Sequence, residues 1–201
     1  MHIEKILGKE RIPDKPSFFA TTSYQFKSDL WNFCQELGVG NKVFIELGTS
    51  RGYTAKLMSY LFKEVHTINL NHQEPALSYL SEKNNITLHA FNLYSFNTEE
   101  DFEKIPPADV YLIDAMHTKW AVLSDIRKCL EHKPQGQVKY FIFDDYGTYP
   151  EVKSAIDETI AEGILELVKP IGQPKGWSFG PPAEDNDRIL KDSEGLICRA
   201  K

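Results

Sequence analysis

Apolar residues recur along the chain in short runs separated by amphipathic stretches. Over Ser23–Leu37 (SYQFKSDLWNFCQEL), Phe26, Leu30, Phe33 and Leu37 fall at helical spacing. That predicts an amphipathic helix ended by Gly38 and Gly40. VFIEL (43–47) is a compact apolar run with the character of a buried strand. A regular alternation follows. Strands are predicted over VHTINL (65–70), ITLHAF (86–91), VYLID (110–114) and VKYFIFDD (138–145). Helices fall between and after them, over Thr54–Leu61, Pro75–Glu82, Trp120–Cys129 and Glu151–Glu162, with a short one in Thr98–Lys104. Such alternation means βαβ units with right-handed crossovers, hence an α/β doubly wound, mostly parallel sheet with helices on both faces. Near the end the pattern changes. Ile164–Pro170 and LICRA (196–200) read as two strands with no helical pattern between them, which predicts an antiparallel hairpin at the sheet edge. The Gly/Pro/Asp-rich stretch between them, including Gln173–Asp187, reads either as a substrate loop or as a solvated connection. Residues 1–37 then form an N-terminal arm and helix, and residues 38–201 the main ligand-binding domain.

Composition narrows the setting. The 201 residues carry 26% charged side chains of interspersed sign, which suits one soluble domain. No apolar run approaches the roughly 18 residues of a membrane helix, and the opening MHIEKILGKERIPDKP lacks the apolar stretch of a secretory signal. Three scattered cysteines, Cys34, Cys129 and Cys198, argue against a disulfide scaffold and for a reducing, cytoplasmic setting. The net charge of −6, with no basic stripe, disfavours nucleic acid and favours a small-molecule substrate. A homodimer is compatible with this reading.

The strongest local motif is Glu46-Leu47-Gly48-Thr49-Ser50-Arg51-Gly52-Tyr53-Thr54, which follows a strand and opens a helix. Gly48 and Gly52 permit tight turning and close approach of a ligand. Ser50 and Thr54 offer hydroxyls, the helix start offers unpaired N–H groups to a carboxylate, and Glu46 sits where it can accept from an ammonium. Adjacent recognition of an anion and a cation describes an amino-acid moiety. The bland alternative is a plain glycine turn. The same letters spell G-x-S-x-G, but no strand is evident before residue 43 and the last histidine is His132, so a hydrolase elbow at Ser50 is disfavoured. Residues 48–53 read GTSRGY, which is not a dinucleotide fingerprint. Where a ribose-binding acid would end the second strand, the chain has Asn69, a weaker, uncharged acceptor.

Two further groups lie at strand ends. Asp114 closes the fourth strand, and His117 follows in the next loop as a candidate general base. The alternative for His117 is local packing. FIFDDY ends the fifth strand in Asp144-Asp145-Tyr146. Adjacent carboxylates there are costly unless satisfied, and a hard cation such as Mg²⁺ would satisfy them together with Asp114. The alternative is that one aspartate caps the next helix and the other is solvated. Asn92 and Tyr94 follow the third strand. Tyr94 suits either adenine stacking or local packing, Trp120 reads as a packing residue, and Phe18-Phe19 suit either ligand covering or core anchoring.

These blocks together resemble class I S-adenosylmethionine-dependent methyltransferases, particularly a group with an IDGDHSYE-type block and a DDY block. ELGTSRGYT resembles the cofactor-binding first motif, LIDAMHTKWAVLSDI the histidine block with Asp114, His117 and Asp125 matching, and FIFDDYGTYPEVKSAID the strand-five block. The resemblance implies a Rossmann-like seven-stranded sheet of order 3-2-1-4-5-7-6 with an antiparallel last strand. It implies S-adenosyl-L-methionine as cofactor, bound by Glu46, Gly48, Thr49, Ser50, Gly52, Tyr53, Thr54, Asn69, Asn92 and Asp114. The implied activity is O-methylation of a small hydroxylated substrate with His117 and Asp114 catalytic, Mg²⁺-assisted through Asp114, Asp144 and Asp145. Two departures, Asn69 for the ribose acid and Ala115-Met116 before His117, carry the alternative of a degenerate, non-catalytic S-adenosylmethionine- or S-adenosylhomocysteine-binding protein. The [DN]PP[YF]-type motif of base-amino methylation is absent after the fourth strand.

Overall fold

The computed structural model describes residues 3–8, 22–72, 74, 76–95, 98–132, 139–175 and 192–201. Phe18, Phe19 and most of the Gln173–Asp187 stretch lie outside the described residues. The elements run α1 (Ile3–Leu7), α2 (Tyr24–Leu37), β1 (Val43–Leu47), α3 (Tyr53–Met58), β2 (Glu64–Asn69), α4 (Ala76–Ser81), β3 (Ile86–Ala90), α5 (Thr98–Glu103), β4 (Val110–Ile113), α6 (Lys119–Glu131), β5 (Tyr140–Phe143), α7 (Pro150–Ala161), β6 (Leu165–Ile171) and β7 (Gly195–Ala200). One sheet takes all seven strands in the order 3-2-1-4-5-7-6, with β1 to β5 parallel and β7 antiparallel to both β5 and β6. This is the doubly wound, Rossmann-like architecture that the alternation and the terminal hairpin predict.

The period of two in each strand feeds two cores. Phe44 on β1, Val65 on β2, Leu112 on β4 and Ile142 on β5 join Phe26, Leu30, Trp31 and Phe33 of α2 and Leu57 of α3 on one face. Ile45, Leu47, Ile68, Tyr111, Ile113, Phe141 and Phe143 meet Phe102 of α5, Ile126 of α6 and Ile156 of α7 on the other. Each fully buried large apolar side chain adds about 1.5–3 kcal/mol to folding, so both helical layers are held by burial. The helix over Ser23–Leu37 forms as its spacing predicts. Ser23 is its N-cap, with Oγ accepting from the Phe26 N–H at 3.0 Å, and Gly38 closes it in the left-handed region.

Two elements depart from the pattern. The helix predicted over Thr54–Leu61 is shorter, Tyr53–Met58: Ser59 turns its hydroxyl back to the Lys56 carbonyl at 2.7 Å, and the chain tightens into i→i+3 bonds. α1 sits within the segment read as an arm. Its single turn buries Ile3 and Leu7, a stripe too short to register as a period.

On β2 and β3, His66 Nδ1 and His89 Nε2 share a hydrogen bond at 3.0 Å, and the rings stack at 5.2 Å. Burial lowers both, His89 to about 4. An unfolded histidine near 6.5 takes up its proton first, so the pair's stabilisation is intact above about pH 6.5 and lost as the pH falls toward 4. His89→Asn removes one of the two titrations. The difference in urea midpoint between wild type and His89→Asn is expected to shift in favour of the variant as pH falls through this window, measured by fluorescence at half-unit steps.

Candidate functional site at the carboxyl ends of β1, β4 and β5

The turn after β1 is shaped by backbone constraints. The Gly48 N–H donates to the Ile68 carbonyl at 2.9 Å, which prolongs the β1–β2 ladder one residue past the strand. With φ at 99°, a Cβ added at Gly48 would lie 1.9 Å from the Asp114 carbonyl oxygen. Only glycine lets the turn cross the end of β4 so closely. Ser50, exposed at the tip, has φ 44°, and Gly52 closes the turn with its N–H on the Thr49 carbonyl at 2.7 Å. Gly52 also sits under Leu80, whose side chain a Cβ would meet at 2.8 Å.

Glu46 belongs to a chain of hydroxyls beneath this turn. Thr67 Oγ1 donates to Glu46 Oε2 at 2.5 Å and lies 2.6 Å from Thr49 Oγ1. Thr67 stands opposite Glu46 in the parallel ladder, which is why the two meet. The carboxyl group is buried, 2% exposed, and also accepts from the Ala55 N–H. Burial pushes it up to about 8, against the opposing pull of Thr67, the Lys27 ammonium and Ala55. Tyr53 and Thr54 are turned inward, with Tyr53 edge-on to Tyr79 at 5.7 Å.

Beyond β4 and β5 a second group gathers. His117 Nε2 lies 2.9 Å from Asp145 Oδ2, and its ring stacks on Tyr149 at 4.3 Å. Ligand atoms of Asp114, His117 and Asp145 all lie within 4.8 Å of one another. Two carboxylate oxygens and one imidazole nitrogen at that spacing fit a divalent cation. Asp145 reaches His117 from a left-handed backbone, φ 61°. Among the described residues, the non-glycine positions with positive φ are Ser50 and Asp145, one on each loop of this site. Strain of this kind persists only where surrounding structure holds it.

Asp144 departs from the sequence expectation. It lines a small cavity with Asp114, His117 and Val152, yet it does not join the three converging ligand atoms; His117 takes that place. The strand ends at Phe143, and the left-handed step at Asp145 turns it toward His117, away from the direction Asp144 takes. Burial drives Asp114 and Asp144 well above the carboxylate range, reinforced in both by the charge of Asp145.

The polar residues at or after the ends of β2 and β3 are engaged within their own loops. Asn69 donates its amide to the Asn71 carbonyl at 2.8 Å, and Asn92 accepts the Tyr94 N–H on its own side chain at 2.9 Å. Tyr94 takes the packing role left open for it: its hydroxyl donates to the fully buried Asp125 at 2.8 Å. That bond gives Asp125 of the histidine block a structural task. Trp120, read as a packing residue, is 56% exposed with its edge against Tyr94. Sequence reasoning missed Thr67, Tyr149, Glu194 and Lys27. Lys27 did leave a trace, as a charge on the apolar stripe three residues before Leu30 and four before Trp31.

No protein-family model matches the chain, and no curated protein matches it in sequence. Solved structures do share its fold. The precorrin 8W decarboxylase of Methanobacterium thermoautotrophicum is 14% identical, with 95% of each chain covered and a TM-score of 0.61. An O-methyltransferase from Bacillus cereus in complex with SAH is 16% identical over 87% of this chain and 79% of that one, at a TM-score of 0.60. The MycE methyltransferase of the mycinamycin biosynthetic pathway, in complex with Mg, SAH and mycinamycin VI, is 11% identical over 69% of this chain and 43% of that one, at 0.53. At these identities the likeness is one of fold.

Gly163 offers a control for Gly48. It too has positive φ, 73°, but a Cβ there meets nothing within 4 Å. Gly163→Ala is expected to cost about 1–2 kcal/mol from backbone conformation alone. Gly48→Ala adds overlap with Asp114 and is expected to cost at least about 3 kcal/mol or prevent folding, read from urea unfolding of both variants.

Proposed function

We propose that the chain is an S-adenosyl-L-methionine-dependent methyltransferase that methylates an oxygen of a small hydroxylated substrate with the help of a divalent cation. The observation that carries the reading is the juxtaposition at one sheet edge. The Gly48–Gly52 turn lies against the backbone of Asp114, and Asp114 in turn belongs to the convergent group with His117 and Asp145. A turn suited to an amino-acid moiety and a group suited to a cation thus share one residue. In open α/β sheets this edge is where ligands bind. The fold likeness to proteins crystallised with SAH, one of them with Mg, supports the same reading.

S-adenosylmethionine supplies an electrophilic methyl group, and a divalent ion such as Mg²⁺ or Mn²⁺ lowers the pKa of a coordinated hydroxyl. The chain's own part is alignment and charge. The Gly48–Gly52 turn receives the amino-acid end, where the absence of a Cβ at both glycines lets the ligand approach the backbone. Glu46 uses two of about four acceptor positions on Thr67 and Ala55, which leaves capacity for an ammonium. Asp114, His117 and Asp145 would hold the ion, His117 through one ring nitrogen, with Tyr149 stacked against the plane of its ring. That nitrogen has one lone pair, so as a ligand it cannot also be the base. In a metal-free reaction His117 would instead take the acceptor's proton, oriented by Asp145.

A second reading, a non-catalytic binder of the same cofactor, draws on Asn69, whose neutral amide is engaged with Asn71. Calorimetry with S-adenosylhomocysteine and a methyl-transfer assay over a panel of hydroxylated compounds separate the two. Binding with turnover supports the enzyme, binding without turnover the alternative, and no binding at millimolar ligand removes both.

Glu46 makes the cofactor reading pH-dependent. Its carboxyl group must ionise to accept an ammonium, so affinity for S-adenosylhomocysteine is expected to rise with pH up to about 8. Glu46→Gln should flatten that slope and weaken binding roughly tenfold or more. The metal reading has its own test. Turnover is expected to vanish in chelator and return with Mg²⁺ or Mn²⁺; full turnover in chelator would leave His117 as the base.

A further inference from the structure

Lys27 is fully buried in α2, on the face that packs against the sheet. Its ammonium donates to the backbone carbonyl and hydroxyl of Thr22, just ahead of the α2 N-cap. The next residue, Ser23, binds Glu194: its N–H donates to Oε1 at 2.7 Å and its hydroxyl to Oε2. Glu194 is also fully buried, and its Oε2 accepts from the Gln173 N–H at 2.9 Å. β7 begins at the next residue. Leu196 pairs with Phe143, the last residue of β5, and Gly195 packs under the Phe143 carbonyl and the Phe26 ring. This register sets Glu194 beside the end of β5, where Asp144 follows. Five carboxyl groups therefore crowd one edge: Glu46, Asp114, Asp144, Asp145 and Glu194. Lys27 is the lysine among them: burial lowers its ammonium to about 8, and Glu194, then Asp144, Asp114 and Glu46, oppose that fall.

We infer that Lys27 is a positioning residue for the cation-holding group: its buried ammonium offsets Glu194 and Asp144 and so leaves Asp114, His117 and Asp145 to take the ion. The inference rests on the metal reading above and extends it to a residue from outside the strand-end loops. It concerns the neighbour left outside that group, since Asp145 converges with His117 while Asp144 does not. While protonated, Lys27 also repels a second cation, so below about pH 8 it holds down the affinity of the site for any divalent ion.

Mn²⁺ binding, followed by calorimetry and by electron paramagnetic resonance on the full chain, tests this without any methyl donor. In the wild type, Asp145→Asn is expected to weaken Mn²⁺ at least about tenfold and Asp144→Asn less than about twofold. Lys27→Met should bind Mn²⁺ about tenfold more tightly, and in that background Asp144→Asn should become weakening. Lys27→Arg keeps the charge and should restore the wild-type pattern. If Lys27→Met does not fold, Lys27→Met/Glu194→Gln removes one charge of each sign, and the Asp144→Asn comparison is made there. Unchanged Mn²⁺ affinity in the methionine variant, or Asp144→Asn as damaging as Asp145→Asn in the wild type, overturns the inference and leaves the metal reading standing. No Mn²⁺ binding by any variant overturns both.

Discussion

Burial of negative charge at the carboxyl edge of the sheet is the constraint around which the rest of this structure is arranged. A carboxylate removed from water is costly unless hydrogen-bonded or paired. Here Asp114 and Asp144 are pushed far up by burial and by one another's neighbours, and Glu46 up to about 8. Three carboxyl groups of this edge are met by local devices. Glu46 receives Thr67 and Ala55, Glu194 receives Ser23 and Gln173, and Asp145 receives His117. These devices also tie the molecule together. The bonds to Glu194 fasten the start of α2 to the β6–β7 hairpin, elements about 170 residues apart in the chain. What remains after these pairings is a set of carboxyl groups held toward their neutral form by burial, whose ionisation a positively charged ligand would favour.

Topology brings the acids together without sequence proximity. Strand order 3-2-1-4-5-7-6 places β1 beside β4 and β4 beside β5, so residues 46, 114 and 145 end on three adjacent strands. The antiparallel β7 then enters from the opposite direction and delivers Glu194 to the same edge, because the start of an antiparallel strand lies beside the end of its parallel neighbour. A parallel β7 would have left that position at the other end of the sheet.

The strand–helix alternation, the hairpin and the helix over 23–37 were legible because each is a periodic signal repeated over many residues. The glycine turn was legible for a different reason: two glycines after a buried strand have few other uses. The division of labour between Asp144 and Asp145 was not. Alternating direction at a strand end depends on whether the strand continues or turns, and here the left-handed step at Asp145 decides it. The engagement of Asn92 with Tyr94 and of Asn69 with Asn71 was hidden for the same reason, since short polar side chains bond to their own loops as readily as to a ligand. Lys27 shows the limit most clearly. A lysine on an apolar stripe signals burial or a snorkelling stem, and only the fold reveals a carboxylate cluster beyond it.

The neutral Asn69 can be understood within the same charge balance. It follows Thr67 by two residues on β2, so it stands on the same face of the sheet, next to the Gly48 turn. An aspartate there would add a sixth acid to an edge that already holds five with one buried lysine among them. Neutrality at position 69 keeps β2 out of the acidic group that His117 and Lys27 adjoin. On the proposed methyl-donor reading, the cost falls on the adenosine side, which gives up a charged acceptor for a sugar hydroxyl. Affinity for a nucleoside-bearing ligand would then rest more on the Gly48–Gly52 turn and on the attraction between a sulfonium and the acidic edge. On that reading, such a site would distinguish charged from neutral forms of one ligand, as a methyl donor and its demethylated product differ.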